Sequence, residues 1–389
     1  MKLGPYEFNF RELAGSVGDF GTLLPLVIGY LTICHMNPTG LLVVLGVMNI
    51  VTGLFFRIPV PIQPMKVLAV VAIAAAWSPE KVYTSALVMG VVWLVMGLGG
   101  VMSRVAAYTP KSVVRGVQLA LGVMLAVKGL WMMAGGWLLG LVSLGIVLVA
   151  SRFRHSPAAL VLVVLGVGMA VFSGDVSGVG PVAFTLPTVT MFDPGLIWPV
   201  LLEAGFAQIP LTATNAVIAA AGLMNDFWPE RRVTEKELSV SMGAMNLAAP
   251  FFGGMPMCHG AGGVVSKHYF GARTGGANII EGSFEIVLGL LFAAGLVAVL
   301  GAFPLSVLGA LLIMVGIELT KFAGSLRFDM ELLTALVVVL GAVTVNMAVG
   351  FIAGMLLHYG VLWLGGRKGG PGVDDPSGIE VKSSVNMNE

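Results

Sequence analysis

Charged side chains are scarce in this chain. Lys, Arg, Asp and Glu together make up 11% of the 389 residues, whereas 57% of the residues are hydrophobic. A soluble domain carries roughly 25% charged residues, so these side chains are too few to cover a water-exposed surface. The composition therefore excludes an ordinary soluble protein and indicates an integral membrane protein with many spans.

Cysteine, net charge and catalytic motifs are also lacking. Only Cys34 and Cys258 are present, so the sequence implies no disulfide framework. A net charge of +1 gives no basic surface for nucleic acid. The sequence contains no nucleophile elbow, no phosphate-binding loop and no H-E-x-x-H motif. No second pair at ligand spacing accompanies Cys258 and His259. We therefore expect no enzyme activity, cofactor, bound metal or nucleic-acid partner.

Apolar runs bounded by glycine, proline or charged residues divide the chain into fourteen candidate membrane segments. Their approximate ranges are 12–33, 40–56, 64–76, 82–102, 113–130, 133–150, 157–172, 197–221, 236–252, 259–269, 277–300, 303–318, 332–348 and 349–365. A full crossing takes about 20 residues, and the runs 64–76 and 259–269 fall well short of that. We interpret these two runs as half-helices, each preceded by a short extended segment that is buried in protein or lines a cavity.

The distribution of cations gives the orientation of these segments. With a cytoplasmic N-terminus, Lys81 and Lys128 fall outside, Lys66 lies within a segment, and every other lysine and arginine falls inside. This is the asymmetry that the positive-inside rule describes. We therefore predict a multi-pass protein of the cell (inner or plasma) membrane with both termini in the cytoplasm.

The two halves of the chain resemble each other weakly. E-L-A-G at 12–15 has a counterpart in E-A-G at 203–205, and P-M at 64–65 has one in P-M at 256–257, at nearly the same offset. Chance similarity in an apolar chain is the alternative explanation. Seven segments per half is an odd number, so the second copy would be inverted in the membrane. Inverted repeats with broken helices at matching positions are typical of secondary transporters, whose site lies near the midplane.

The predicted fold is thus an all-α integral membrane protein with fourteen transmembrane segments in a 7+7 inverted repeat. Its expected parts are a first repeat at 1–172, an extracytoplasmic linker at 173–196, a second repeat at 197–365 and a disordered cytoplasmic tail at 366–389.

Two motifs of the first half are candidates for substrate binding. Gly18, Asp19, Gly21 and Thr22 interrupt the first segment. A carboxylate inside a membrane is costly and usually functional, although the glycines of this motif would equally serve close helix packing.

The second motif is Gln63, Pro64, Met65 and Lys66. Proline is favoured in the first turn of a helix, which would leave Gln63 able to donate to an oxyanion. Lys66 needs an anionic partner within the membrane, either Asp19 or the substrate.

Two motifs of the second half complete the candidate site. Gln208, Thr212 and Asn215 lie on one helical face, where they would donate either to a ligand or between helices. A second half-helix begins in the motif of Met257, Cys258, His259, Gly260 and Gly262. Glycines at a helix start leave backbone N–H groups open to an anion.

Several ionisable side chains are candidates for proton transfer or ion pairing. Asp19, Glu203 and His259 are the proton-coupling candidates, because carboxylates in membranes and histidines change charge readily. Glu281 and Glu285 lie four residues apart on one helical face. They would either relay protons or pair with Lys267 or Arg273, and we favour pairing.

Four motifs together resemble the molybdate transporters of plants and bacteria, a branch related to the SulP sulfate permeases. They are E-L-A-G-S-V-G-D-F-G-T-L-L-P-L at 12–26, P-I-Q-P-M-K at 61–66, Q-I-P-L-T-A-T-N-A-V at 208–217 and G-G-M-P-M-C-H-G-A-G-G at 253–263. The resemblance covers nearly the whole chain.

The resemblance implies the fold shared by SulP and nucleobase–ascorbate transporters, with core and gate domains each drawn from both repeats. In those proteins the third and tenth segments are half-helices that meet at the substrate. Related transporters often form homodimers and move the core against the gate in an elevator-like step. The residues after the last predicted span are too few for the STAS domain that many SulP proteins carry.

The expected function is secondary active import of a tetrahedral oxyanion, molybdate first and tungstate or sulfate next, coupled to protons. The expected partners are that oxyanion, a co-transported proton, the lipid bilayer and a second copy of the chain. Three alternatives stay open: a sulfate permease, a proton-coupled transporter of the nucleobase type, and an anion channel.

Overall fold

The computed structural model describes residues 1–150, 158–172, 182–321 and 330–364. The predicted linker is described only from residue 182 onward, and the predicted tail at 366–389 lies outside the described residues. Almost all regular structure in the described part is helical, in agreement with the predicted fold class.

The first half of the chain contains nine helices in the residues described. They are α1 Phe10–Ser16, α2 Phe20–Thr32, α3 Pro38–Phe56, α4 Lys66–Ala75, α5 Pro79–Gly99, α6 Met102–Ala107, α7 Lys111–Met133, α8 Trp137–Ala150 and α9 Ala158–Phe172. Two antiparallel strands, β1 Lys2–Leu3 and β2 Tyr6–Glu7, precede α1.

The second half begins with a long helix, α10 Pro194–Phe227. The later helices of the described part are α11 Glu235–Ala248, α12 Ala261–Tyr269, α13 Gly276–Leu291, α14 Ala293–Gly301, α15 Leu305–Lys321, α16 Met330–Thr344 and α17 Met347–Leu364. A 3₁₀ turn at Ala249–Phe252 follows α11.

Many of these helices are apolar enough to lie in a membrane. By length and composition, five helices of the described part could cross one, or up to seven if each bent pair counts as one span. Each of the fourteen predicted segments coincides with a helix or a bent pair. Several of these helices are shorter than a full crossing requires, so the count of fourteen spans and their inverted arrangement stay predictions.

Two of the predicted segments are broken, the first of them at the motif that was expected to interrupt it. The segment at 12–33 forms α1 and α2, which meet at an angle of 48°, and the segment at 277–300 forms α13 and α14, which meet at 83°. The first break falls at Gly18 and Asp19. Glycine and aspartate both disfavour a helix interior, which explains why the chain turns there.

Helix α10 is irregular along its length. It contains two π-helical segments, Leu201–Gly205 and Ala213–Ala219, with Pro210 between them. A π turn holds more residues than an α turn, so side chains beyond it are rotated relative to an ideal helix. The regular helical face expected for Gln208, Thr212 and Asn215 is therefore only approximate.

Long helices of the two halves pack in pairs. Helix α3 packs against α13, α5 against α11, and α7 against α15. Gly46 and Gly282 allow the closest approach of α3 and α13, because a Cβ atom added to either one would collide with the carbonyl oxygen of the other. The backbones of these two helices are therefore in direct contact.

Replacing Gly282 tests this packing. We expect Gly282→Leu to reduce the free energy of unfolding by ~1–3 kcal/mol, the usual range for overpacking a filled interior. Gly145→Leu is the matched control, because a Cβ atom at Gly145 meets nothing within 4 Å. Thermal unfolding of the two variants in the same detergent makes the comparison. Equal melting temperatures would contradict the close contact of α3 and α13.

Candidate functional site

The two half-helices begin side by side. Strand β3 Gln63–Pro64 pairs antiparallel with strand β4 Met257–Cys258. Gln63 lies opposite Cys258, and the Met65 N–H donates to the Pro256 carbonyl at 2.9 Å. This two-stranded ribbon is buried, and it brings together the N-termini of α4 and α12, which follow β3 and β4 in the chain.

The helix starts leave several backbone donors open. The N–H groups of Lys66, Ala261 and Gly262 donate to no acceptor in the described part of the chain, whereas those of Gly263 and Val264 donate to the Gly260 carbonyl. A Cβ atom added at Gly262 would meet nothing within 4 Å. Open N–H groups and open space at a helix N-terminus are the requirements of an anion site.

Lys66 lies at the same place as these donors. Its Nζ atom is 3.9 Å from the position that a Cβ atom on Gly260 would occupy. The side chain is half-buried, and no carboxylate of the described residues lies within ion-pair distance of it. Of the two partners considered for Lys66, Asp19 is therefore not the one found. The Lys66 charge remains available to a ligand.

Asp19 pairs with a different lysine. Its Oδ1 atom lies 3.5 Å from Lys267 Nζ, and its Oδ2 atom accepts a hydrogen bond of 3.4 Å from Gln63 Nε2. Gln63 thus joins the ribbon to Asp19, which lies at the break between α1 and α2 and is only 3% exposed. The Asp19 carboxylate positions Gln63 and does not neutralise Lys66.

The other members of the first motif have different environments. A Cβ atom at Gly18 would lie 2.9 Å from the Ser266 carbonyl oxygen, so this glycine permits the contact with α12. Gly21 is exposed with nothing within 4 Å of its Cβ position, and Thr22 is half-buried. Gly21 therefore lies next to open space, whereas Gly18 serves packing.

Gln208 caps the first half-helix. Its Oε1 atom accepts hydrogen bonds from the backbone N–H groups of Val67 at 2.8 Å and Leu68 at 3.2 Å. Its Nε2 atom donates to Thr212 Oγ1. The side chain thereby satisfies two N–H groups that the start of a helix leaves without partners. Of the two roles considered for Gln208 and Thr212, the hydrogen bonds found here are those between helices, and they position α4.

Asn215 differs from its two neighbours on α10. Its side chain is half-buried and makes no hydrogen bond with the part of the chain that the structure describes. Of Gln208, Thr212 and Asn215, only Asn215 thus has a side chain that the described part of the chain leaves open to a ligand.

Removing the cap on α4 should cost stability. In Gln208→Met the N–H groups of Val67 and Leu68 lose their acceptor, and we expect the free energy of unfolding to fall by ~1–3 kcal/mol. Asn215→Ala is the control, with an expected change within ~0.5 kcal/mol. Thermal unfolding of both variants in detergent provides the measurement. A Gln208→Met protein as stable as the wild type would mean that water reaches these two N–H groups.

His259 lies behind the ribbon with both ring nitrogens engaged. Nδ1 lies 3.1 Å from the Pro61 carbonyl oxygen, and Nε2 lies 3.1 Å from Ser241 Oγ. Because a carbonyl oxygen only accepts, Nδ1 carries the proton and Nε2 accepts from the serine hydroxyl. The ring is fully buried, so neither nitrogen is left to contact a ligand.

Glu203 and Cys258 also have partners away from the open donors. Glu203 forms an ion pair with Lys81 at 2.7 Å and accepts a hydrogen bond of 2.9 Å from Trp77 Nε1. The Cys258 thiol lies 3.9 Å from the Pro64 carbonyl oxygen, within the ribbon. No group of three or more potential metal ligands occurs in the described residues.

The sequence reasoning missed one polar element of the site. Asn278 binds the backbone of Val60 through both ends of its amide, at 2.6 and 3.1 Å, and also donates to Asn49 at 3.0 Å. Two asparagines inside apolar segments were the available signal, since buried polar side chains in membranes need partners. The favoured pairing of Glu281 with Lys267 is found.

Comparison with known proteins identifies relatives along most of the chain. Residues 11–125 and 200–319 match the family described as molybdate transporters of the MFS superfamily. The chain is 31% identical to Molybdate transporter 1 of Arabidopsis thaliana, over 92% of this chain and 89% of the relative. It is 30% identical to Molybdate transporter 1 of Chlamydomonas reinhardtii, over 90% of this chain and 91% of the relative.

Two solved structures share the fold. The transmembrane domain of the cyanobacterial bicarbonate transporter BicA superimposes with a TM-score of 0.63 at 19% identity, covering 90% of this chain and 99% of that domain. The murine Solute Carrier 26 family member A9 anion transporter, in the inward-facing state, gives a TM-score of 0.68 at 13% identity, covering 94% of this chain and 70% of that protein. The chain therefore shares the fold of these two transporters.

Proposed function

The chain belongs to the molybdate transporter family, and from this premise we propose that it is a secondary active importer of a tetrahedral oxyanion. Molybdate is the first candidate substrate, followed by tungstate and sulfate. The observation that carries the proposal is the meeting of two half-helix N-termini, with open backbone N–H groups, beside a lysine that has no carboxylate partner in the described residues.

The charges at this place suit a dianion. Each helix N-terminus presents roughly half a positive charge, and Lys66 adds a full one. Together they offset a charge of about −2, which molybdate and sulfate both carry. Backbone N–H groups of Ala261 and Gly262 would donate on one side of the anion, and Lys66 would lie on the other. The α4 side offers fewer open backbone N–H groups because two of them, those of Val67 and Leu68, donate to Gln208.

Further donors would complete the binding shell. The Asn215 amide makes no hydrogen bond with the described residues, Gly21 borders open space, and Thr22 is half-buried beside it. We propose that these three residues contact the oxyanion directly. Gln63, Gln208 and Thr212 affect anion binding indirectly, by positioning α4 and the ribbon, because their polar atoms are already bound to protein partners.

The packing of the helices supports an inverted 7+7 repeat. In such a repeat each segment of the first half corresponds to one of the second half, so a contact between the second segment of one half and the fourth segment of the other should occur twice. Helix α3 packs against α13, and α5 packs against α11, as this symmetry requires. The contacts of α7 with α15 and of β3 with β4 each join two corresponding elements.

We propose fourteen segments, core and gate domains that move in an elevator-like step, a homodimer, and a plasma-membrane location with cytoplasmic termini.

Concentrative uptake requires a driving ion. Moving a dianion inward against a negative-inside potential costs about 2.3 kcal/mol per charge per 100 mV. We propose that protons supply this energy. Of the three proposed proton carriers, Glu203 pairs with Lys81 and His259 bonds to the Pro61 carbonyl, both away from the open backbone N–H groups. Asp19 instead accepts a hydrogen bond from Gln63 of the ribbon. Uptake into proteoliposomes that ignores an imposed pH gradient would exclude proton coupling.

A parallel titration of the purified protein with molybdate, tungstate and sulfate tests the substrate class. Saturable binding of all three supports an oxyanion site, and their order of affinity identifies the substrate. Competition by uracil instead would favour a transporter of the nucleobase type. Uptake into proteoliposomes that neither saturates nor accumulates would indicate an anion channel.

A further inference from the structure

A buried cluster of ionisable groups lies next to the proposed anion site. Lys267 of α12 forms an ion pair with Glu281 of α13 and lies 3.5 Å from Asp19. Glu285, one turn further along α13, accepts a hydrogen bond of 2.9 Å from Asn49 Nδ2. The exposed fractions of these side chains are 0% for Lys267, 2% for Glu281, 3% for Asp19 and 4% for Glu285. The four groups therefore form a closed cluster without access to bulk water.

The charges in this cluster do not balance. Three carboxyl groups accompany one ammonium group, and no second cation of the described residues lies within ion-pair distance of them. If all four groups were ionised, the cluster would hold a net charge of −2 away from water. Burying an uncompensated charge costs several kcal/mol even after relaxation. Protons on the carboxyl groups are the simplest way to remove it.

One oxygen atom of the cluster lacks a partner. Glu281 Oε1 is buried and accepts no hydrogen bond within the part of the chain described, whereas Asp19 Oδ1 has the Lys267 ammonium group at 3.5 Å. Asn278 Nδ2 donates to the side-chain Oδ1 of Asn49, so the Asn49 amide presents its Nδ2 to Glu285. Glu285 thus has a neutral donor and no cation. A buried, unsatisfied carboxylate oxygen is a site for a proton.

The cluster is connected to the anion site by direct contacts. Glu281 touches Lys267, Lys267 touches Asp19, and Asp19 accepts from Gln63. A Cβ atom at Gly263 would lie 2.7 Å from Gln63 Nε2, so this amide packs against the start of α12. A change of charge on Glu281 would therefore alter the ion pair between Lys267 and Asp19. Through the hydrogen bond from Gln63 to Asp19, it would also alter the position of the ribbon between the half-helices.

We propose that the carboxyl cluster around Lys267, and within it Glu281 and Glu285, binds the proton that is co-transported with the oxyanion. This inference rests on the proposed transport function. Arrival of a dianion next to Gln63 disfavours negative charge on the cluster and so favours protonation. Binding linkage is reciprocal, so protonation of the cluster strengthens anion binding by the same factor.

The other charged groups on elements packed against α13 lie near its first turn. Helices α3 and α14 contribute no ionisable side chain to this contact. Glu12 accepts hydrogen bonds of 3.0 Å from the backbone N–H groups of Arg273 and Thr274, just before α13. The remaining charged side chains in this region belong to Glu7, Arg11, Arg57 and Arg273. The cluster is thus separate from the charged groups at the helix start.

Calorimetric titration of the purified full-length protein with molybdate tests the proposal. Repeating the titration in buffers of different ionisation enthalpy gives the number of protons taken up per bound anion. We expect net proton uptake in the wild type, and a fall of about one proton per anion in Glu281→Gln or Glu285→Gln. Glu318→Gln is the matched control, since this exposed glutamate pairs with Lys321 and should leave the uptake unchanged.

The outcomes separate the inference from the proposed function. A wild-type protein that binds none of the three oxyanions overturns both. Wild-type binding without proton uptake between about pH 5 and pH 8 overturns the inference alone, and this result does not depend on whether the variants fold. Loss of uptake in Glu203→Gln, with unchanged uptake in the cluster variants, would also overturn it. Reduced uptake in either cluster variant, in a protein with a wild-type melting temperature, supports it.

Discussion

Lys66→Ala is expected to weaken oxyanion binding about 100-fold, a loss of ~3 kcal/mol. Lys66 lies beside Gly260 at the start of both half-helices, and no carboxylate of the described residues neutralises it. A dianion in this place would meet the ammonium group in surroundings of low dielectric constant, where the attraction is much stronger than in water. Equilibrium titration of the purified protein with molybdate measures the loss.

A control separates this effect from a general change of charge. Lys321→Ala removes an exposed lysine that pairs with Glu318, and its affinity should equal that of the wild type. The melting temperature of Lys66→Ala without ligand should stay close to the wild-type value, because no ion pair is broken. Unchanged affinity in Lys66→Ala would assign this lysine a structural role and leave the anion to the backbone N–H groups alone.

Lys267→Met is expected to reduce the free energy of unfolding by ~3–5 kcal/mol. The lysine is completely buried and contacts both Asp19 and Glu281. Methionine has a similar length but leaves the carboxyl groups without their cation. Breaking a buried ion pair from one side costs far more than the pair itself contributes. Thermal and denaturant unfolding in the same detergent provide the measurement.

The pH dependence of this defect identifies its cause. If uncompensated carboxylates destabilise Lys267→Met, acidification supplies the missing protons, and the difference from the wild type should shrink as the pH falls. Lys81→Met is the matched control, since its ion pair with Glu203 is partly exposed and should contribute ~1 kcal/mol or less. A defect of Lys267→Met that is equal at all pH values would point to lost packing instead of lost charge.

The sequence predicted the architecture of the site better than the partners within it. Two short apolar runs, at 64–76 and 259–269, correctly indicated the short helices α4 and α12, and their status as half-helices in a membrane stays a prediction. The membrane carboxylate Asp19 also stood out. These features depend on local composition, because proline, glycine and isolated charges affect the chain where they occur. They can therefore be read without knowledge of the tertiary structure.

The pairing of side chains could not be predicted in the same way. Lys66 and Lys267 were equally available to Asp19 in the sequence, and only the packing of α12 against the break after α1 selects Lys267. The Gln208 contacts likewise join residues more than 100 positions apart. The break at Phe292 was not predicted from the sequence, whereas the break at Asp19 was indicated by the neighbouring glycine and the carboxylate.

The ribbon of β3 and β4 has a consequence for selectivity. Backbone hydrogen bonds tie the two helix starts head to head, so that neither can be displaced without carrying the other along. The distance between the two helix starts is therefore set by the spacing of paired strands, whereas the Lys66 side chain is flexible. An oxyanion at the proposed site would therefore lie between helix starts at a fixed distance, which would favour anions of one radius.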